Sequence, residues 1–130
     1  MPGRRSMIRI TARPLTREAF APFGQVLDTD WPDRFPINGG MCERCHDLAT
    51  AEAAGENARV ILSIFRGQPY PFPLKLELME RHPLGSQAFM PLSQQPFLVV
   101  VAHDDGGRPG APQAFVTRPG QGVNYSRNIW

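Results

Sequence analysis

Fourteen prolines and twelve glycines cut this 130-residue chain into short pieces. Proline removes a backbone donor and fixes φ, and glycine weakens any regular element it sits inside, so long helices are excluded. The pieces between them are rich in β-branched and aromatic residues, which predicts a mostly-β fold. Candidate strands are Met7–Thr11, Gln25–Leu27, Arg59–Phe65, Leu74–Glu80, Ser86–Pro91, Phe97–His103 and Gln113–Thr117. Short strands at this spacing favour a barrel or sandwich. Residues 74–77 alternate apolar and polar as a half-buried strand does, whereas Phe97–Ala102 is continuously apolar and reads as a mid-sheet strand covered on both faces. One short N-terminal helix is expected after Thr16 as cap, with Phe20 and Phe23 on one face and Gly24 closing it. A connective helical piece is expected at Thr50–Glu56, and Asp104–Gly110 reads as a loop. No repeat or linker divides residues 1–130, so a single domain is expected.

Charge narrows the partners. Fourteen basic against twelve acidic residues leave a formal charge of +2, with no long basic run and no aromatic residues interleaved with basic ones, which argues against nucleic acid. The longest apolar run, Phe97–Ala102, is too short to cross a bilayer, and Met1–Ile10 has no apolar stretch of the signal-peptide kind. The expectation is a cytoplasmic protein without a membrane partner.

Cys42-Glu43-Arg44-Cys45-His46 has the C-x-x-C-H form of a haem attachment site. Haem of that type belongs with export, which nothing near Met1 suggests, and a zinc site lacks a second Cys/His pair at ligand spacing. Both cysteines therefore read as reduced thiols. The density of polar chemistry in Glu80-Arg81-His82-Pro83-Leu84-Gly85-Ser86-Gln87-Ala88-Phe89 is of a different order. Glu80 and His82 share one side of an extended segment, Gln87 returns towards them after the turn, and Arg81 points the other way in a structural role. A third segment, Gln121 to Trp130, offers Asn124, Tyr125, Arg127 and Trp130 for hydrogen bonding, charge and stacking.

These last two blocks, preceded by Phe35-Pro36-Ile37-Asn38-Gly39-Gly40 and Glu43-Arg44-Cys45-His46-Asp47-Leu48-Ala49, together resemble the ureidoglycolate lyase family of allantoin degradation. The resemblance runs from Pro14-Leu15 to the last residue. It implies a cupin-like β-barrel, a homodimer, and a small-molecule substrate, ureidoglycolate, cleaved to glyoxylate and urea. Two positions depart from the family pattern: Ser126 stands where histidine is typical and Cys45 where tyrosine is typical. The family also continues past the tryptophan, so the resemblance implies closing strands beyond Trp130 and an unpaired sheet edge without them.

The substrate is a carbinolamide, whose collapse needs a base for its hydroxyl, a proton donor for the departing nitrogen and a cation for its carboxylate. His82 is the expected base, because imidazole ordinarily titrates near neutrality, with Glu80 as its partner and Tyr125 as a further catalytic group. Arg44 or Arg127 would clamp the carboxylate, Gln87 and Asn124 would bind the ureido group, and Trp130 would supply a wall. No cofactor is required. A divalent ion held weakly by His82, Gln87 and Glu80 is the most the donor set implies. Two rival expectations are a cupin-like binding protein impaired in catalysis and an amidohydrolase that releases ammonia from the same substrate.

Overall fold

The computed structural model describes residues 7–130; the reading of Met1–Ile10 thus falls partly outside the described residues, at positions 1–6. In chain order the elements are β1 (Arg13–Pro14), α1 (Arg17–Phe20), β2 (Gly24–Leu27), β3 (Arg34–Ile37), β4 (Cys42–Cys45), β5 (Gln87–Phe89), β6 (Leu98–Val101), β7 (Asp104–Asp105), β8 (Arg108–Pro109), β9 (Gln113–Val116) and β10 (Gly122–Tyr125). The mostly-β reading holds in its coarse form. There are two three-stranded sheets, β1-β9-β6 and β2-β10-β5; the hairpin β3-β4 lies in the chain between β2 and β5, the hairpin β7-β8 between β6 and β9, and no sheet closes into a barrel among the described residues.

The segment expected to be helical contains one turn, α1, in which the Thr16 hydroxyl accepts a hydrogen bond from the Ala19 N–H at 3.1 Å. That turn drops Phe20 and Phe23 into a core completed by Leu15, Val26, Val99, Val101, Phe115 and Val123. Both three-stranded sheets contribute to it, so the apolar residues of one sheet are covered by those of the other. Phe20 meets the Phe115 ring edge-on at 5.7 Å and the Tyr125 ring at 6.2 Å, tying α1 to β9 and β10.

Glycine is required where β2 and β10 approach their neighbours. A Cβ on Gly24 would overlap the Asn124 carbonyl oxygen, and one on Gly122 would overlap the Phe89 carbonyl oxygen. The two positions flank the register Gly24↔Tyr125 and Gly122↔Leu27 that aligns β10 between β2 and β5.

Several expectations are corrected. Arg59–Phe65 and Leu74–Glu80 form no strands, and their side chains are bare: Leu62 is 98% exposed, Ile64 82% and Leu78 76%. Apolar alternation marks a face fit for burial, but a ladder also needs a partner edge, and no described strand pairs with these segments. Met7–Thr11 likewise stays outside the sheets; pairing starts at Arg13, parallel to β9. The continuously apolar β6 is an edge strand of its sheet rather than the middle one, with Val99 and Val101 buried and Leu98 and Val100 half-buried. Thr50–Glu56 is not helical; Ala53 bridges to Gly85, and Ala54 N–H donates to Leu84 O at 2.8 Å. The expected loop at 104–110 is a tight hairpin, because Gly106 and Gly107 both take positive φ (61° and 88°), as a hairpin turn of the primed kind requires.

Candidate active site

The site grows from the pairing of β5 with β10. Gln87 lies opposite Tyr125 and Ala88 opposite Asn124, so Gln87 and Tyr125 project to one face of the sheet and Asn124 to the other. On the first face a cleft of about 250 Å³ is lined by Gln87, Phe89 and Tyr125 from this pair, by Leu76, Leu78, Met79, Glu80, His82 and Gly85 on one side, and by Val100, Ser126, Ile129 and Trp130 on the other.

His82 Nε2 stands 3.9 Å from Glu80 Oε2, beyond hydrogen-bond range. Both side chains are largely open to solvent at the mouth of the cleft. Their segment has no ladder, and it is held from outside: Asn128 N–H donates to His82 O at 3.0 Å, and Arg127 Nε donates to Pro83 O at 3.2 Å. Asn128 adopts φ 68°, a left-handed conformation that asparagine tolerates better than most residues, and so turns the chain back towards Trp130.

Deeper in the cleft the Tyr125 ring packs between Phe20 and Phe89, and burial pushes its phenol up to about 12. It therefore remains protonated across the neutral range. Trp130 is fixed by two backbone hydrogen bonds with Ala102, at 2.9 and 3.0 Å, and by its indole N–H, which donates to Asp104 Oδ1 at 2.9 Å. Asp104 also accepts from Arg81 Nη1 at 2.9 Å, and the Arg81 guanidinium lies 5.1 Å from the Trp130 ring centroid. The indole bond, followed by the Gly107 N–H and the Arg81 charge, holds the Asp104 carboxyl below the usual carboxylate range.

On the reverse face, a polar cleft of about 310 Å³ is lined by Gln25, Asp47, Thr50, Glu52, Ser86 and Asn124, with Ser126 bordering both openings. Asn124 is only 3% exposed, and its Nδ2 donates to Gln25 Oε1 at 2.8 Å. Arg44 sits opposite Phe35 on the exposed β3-β4 hairpin and lines neither cleft. Of the eight residues singled out from the sequence, the structure gathers Glu80, His82, Gln87, Tyr125 and Trp130 around one opening. It ties Arg127 to the adjoining Pro83, and sets Asn124 and Arg44 apart. Asn124 and Tyr125 are consecutive strand residues, and the period of two is the signal that separates them. Asp104 and Asn128 went unmarked because each reads as ordinary turn chemistry.

Among the described residues no three His, Cys, Asp or Glu side chains converge as a metal site. Cys42 and Cys45 are free thiols three residues apart on β4, a spacing that points them to opposite faces.

The ureidoglycolate lyase family profile matches residues 7–130. A ureidoglycolate lyase of Mesorhizobium japonicum is 68% identical over 124 residues, covering 95% of this chain and 76% of that protein. One from Chelativorans sp. is 62% identical over 124 residues, covering 95% and 75%, and one from Agrobacterium fabrum is 64% identical over 118 residues, covering 91% and 71%. The matched residues take in the segments that build the cleft, from the 80–89 block through β10 to Trp130. By this extent of match and this level of identity, the chain belongs to the ureidoglycolate lyase family.

Proposed function

We propose that the chain is a ureidoglycolate lyase of allantoin degradation and that the cleft between His82 and Trp130 splits ureidoglycolate into glyoxylate and urea. The observation that carries the reading is the meeting of Glu80, His82, Gln87, Tyr125 and Trp130 around one opening, in a chain whose relatives bear the lyase name.

In this reading His82 takes the proton of the carbinol hydroxyl. The freed electron pair closes the carbonyl of glyoxylate as the carbon–nitrogen bond breaks. The pair from that bond moves to the ureido nitrogen, which takes a proton from the Tyr125 phenol and leaves as urea. The proton on His82 then returns to the phenolate through solvent, so both groups are restored and no redox change occurs. Glu80, 3.9 Å from the imidazole, lines the cleft beside the base. Arg127, anchored beside the cleft by its Nε bond to Pro83, offers its remaining guanidinium donors to the carboxylate. Gln87 matches the donors and acceptors of the ureido group, and Trp130 covers the reacting carbon from water. Both proton transfers to and from the substrate are assigned to side chains, and the reading calls for no cofactor.

The same reading makes the enzyme a cytoplasmic homodimer with a cupin-like fold. Its support for the dimer is the bare apolar run of Val60, Ile61, Leu62, Ile64 and Phe65, each between 67% and 98% exposed, a surface that soluble proteins seldom leave uncovered. For the cytoplasm the support is a reaction on a small soluble metabolite.

Product analysis tests the proposal. Incubation with ureidoglycolate is expected to give glyoxylate and urea in equal amounts. Release of ammonia with glyoxylate would instead mark an amidohydrolase, and no turnover would mark a binding protein.

A further inference from the structure

Asp104 belongs to a two-residue strand of a small hairpin, more than twenty residues from both Arg81 and Trp130, yet its carboxylate joins them. Oδ1 accepts from Arg81 Nη1 and from the Trp130 indole N–H, each at 2.9 Å, and Oδ2 accepts from Gly107 N–H at 3.3 Å. The ion pair is sheltered, with the Arg81 side chain 27% and the Asp104 side chain 20% exposed, and the guanidinium rests 5.1 Å from the centroid of the indole it helps to hold. A charge pair in such surroundings is screened less than one in open water and, with charged hydrogen bonds, holds geometry more firmly.

The consequence lies on the other side of the chain from Arg81. Residues 80–82 have no ladder hydrogen bonds; Glu80 and His82 line the cleft, while Arg81 between them does not and reaches Asp104 instead. A tether on the Arg81 side chain therefore fixes the backbone between the two groups that line the cleft. The remaining ties on this stretch are the bonds from Asn128 to His82 O and from Arg127 to Pro83 O, both from the segment that ends in Trp130. The Asp104 carboxylate thus adds a side-chain tie between the His82 wall and the Trp130 wall to these two bonds.

We propose that Asp104 is a positioning residue for the lyase reaction, holding Glu80 and His82 in register through Arg81 and holding the Trp130 wall through its indole. The inference rests on the lyase reading of the cleft. Asp104 touches no reacting atom; its effect is on where the touching groups stand. Displacement of a catalytic group by about 1 Å costs on the order of 10²-fold in rate.

The test compares Asp104→Ala, Asp104→Asn and Arg81→Met by steady-state kinetics with ureidoglycolate, and by the NMR resonances of the Trp130 indole N–H and the His82 imidazole. Asp104→Ala is expected to lower kcat by about 10²-fold, with a smaller change in KM, and to move both resonances. In Asp104→Asn the amide oxygen still accepts from the indole, so the Trp130 resonance stays near its original position and kcat recovers part of the loss. Arg81→Met leaves the Asp104–Trp130 bond intact and shifts the His82 resonance, with kcat falling to a similar intermediate level. Such graded recovery, with the two resonances responding separately, would not follow from general loosening of the fold. If Asp104→Ala does not fold, the other two variants decide. Wild-type kcat in folded Asp104→Asn and Arg81→Met, with both resonances unmoved, would overturn the inference. If the native protein makes no urea, the lyase reading fails by itself. The positioning role is then judged on the resonances alone, supported by a His82 shift in Arg81→Met and refuted without one.

Discussion

Tyr125 shows how a single side chain acquires its role from its surroundings. Packed against Phe20 and Phe89, its phenol is pushed up to about 12 by burial, so it keeps its proton well beyond neutral pH. The same shift is a statement about stability. An unfolded tyrosine ionises near 10 while the folded one keeps its proton, so stability is fully present below pH 10 and declines from there to about 12, at about 1.4 kcal/mol per pH unit for this group. Phenolate absorbance should reveal one of the two tyrosines titrating near 12, and Tyr125→Phe should remove that step. In the proposed mechanism His82 is the base, and His82→Ala is expected to lower kcat by about 10²-fold or more while leaving the melting temperature close to that of the native chain, because the ring is 51% exposed and packs little. An unchanged kcat would remove it from the mechanism.

At the level of elements, the approach of β2 to β10 decides whether the cleft face is presented at all. Gly24→Ala would drive a methyl group into the Asn124 carbonyl and is expected to cost about 1–3 kcal/mol, read as a lower denaturation midpoint in urea. Much of this layer was legible in the sequence wherever a strand carries its own signals. Gln25–Leu27, Gln113–Thr117 and the 86–91 segment each coincide with a strand to within two residues of the expected bounds, because their β-rich runs are punctuated by glycine or proline. Residues 59–65 and 74–80 carry the same apolar signals and form no strand, since a partner edge is a property of the whole fold that no local pattern encodes. The hairpin at Arg34–Cys45 was hidden for the opposite reason: Pro36 and the Asn38-Gly39-Gly40 turn read as breakers, whereas they form an edge strand and the turn that reverses it. The site divides in the same way. Glu80, His82 and Gln87 could be grouped from spacing around a turn, but the contact of Asp104 with Arg81 and Trp130 spans more than twenty residues in each direction and exists only in the folded chain.

For the molecule as a whole, the bare apolar run from Val60 to Phe65 and the cleft beside Leu76 and Leu78 belong to one stretch of chain. Covering that run in a dimer would brace the wall that carries His82. Leu62→Lys with Ile64→Lys is expected to shift sedimentation towards the monomer at micromolar concentration without loss of secondary structure, since both side chains face solvent. Dimers that persist in this variant would place the interface elsewhere. The central claim concerns which face of the β5-β10 pair does the chemistry. The most direct measurement is a crystal structure of the protein with bound glyoxylate. The account predicts the product in the cleft between His82 and Trp130, within reach of Tyr125 and Arg127; glyoxylate seated instead in the polar cleft against Asn124 and Glu52 would contradict it.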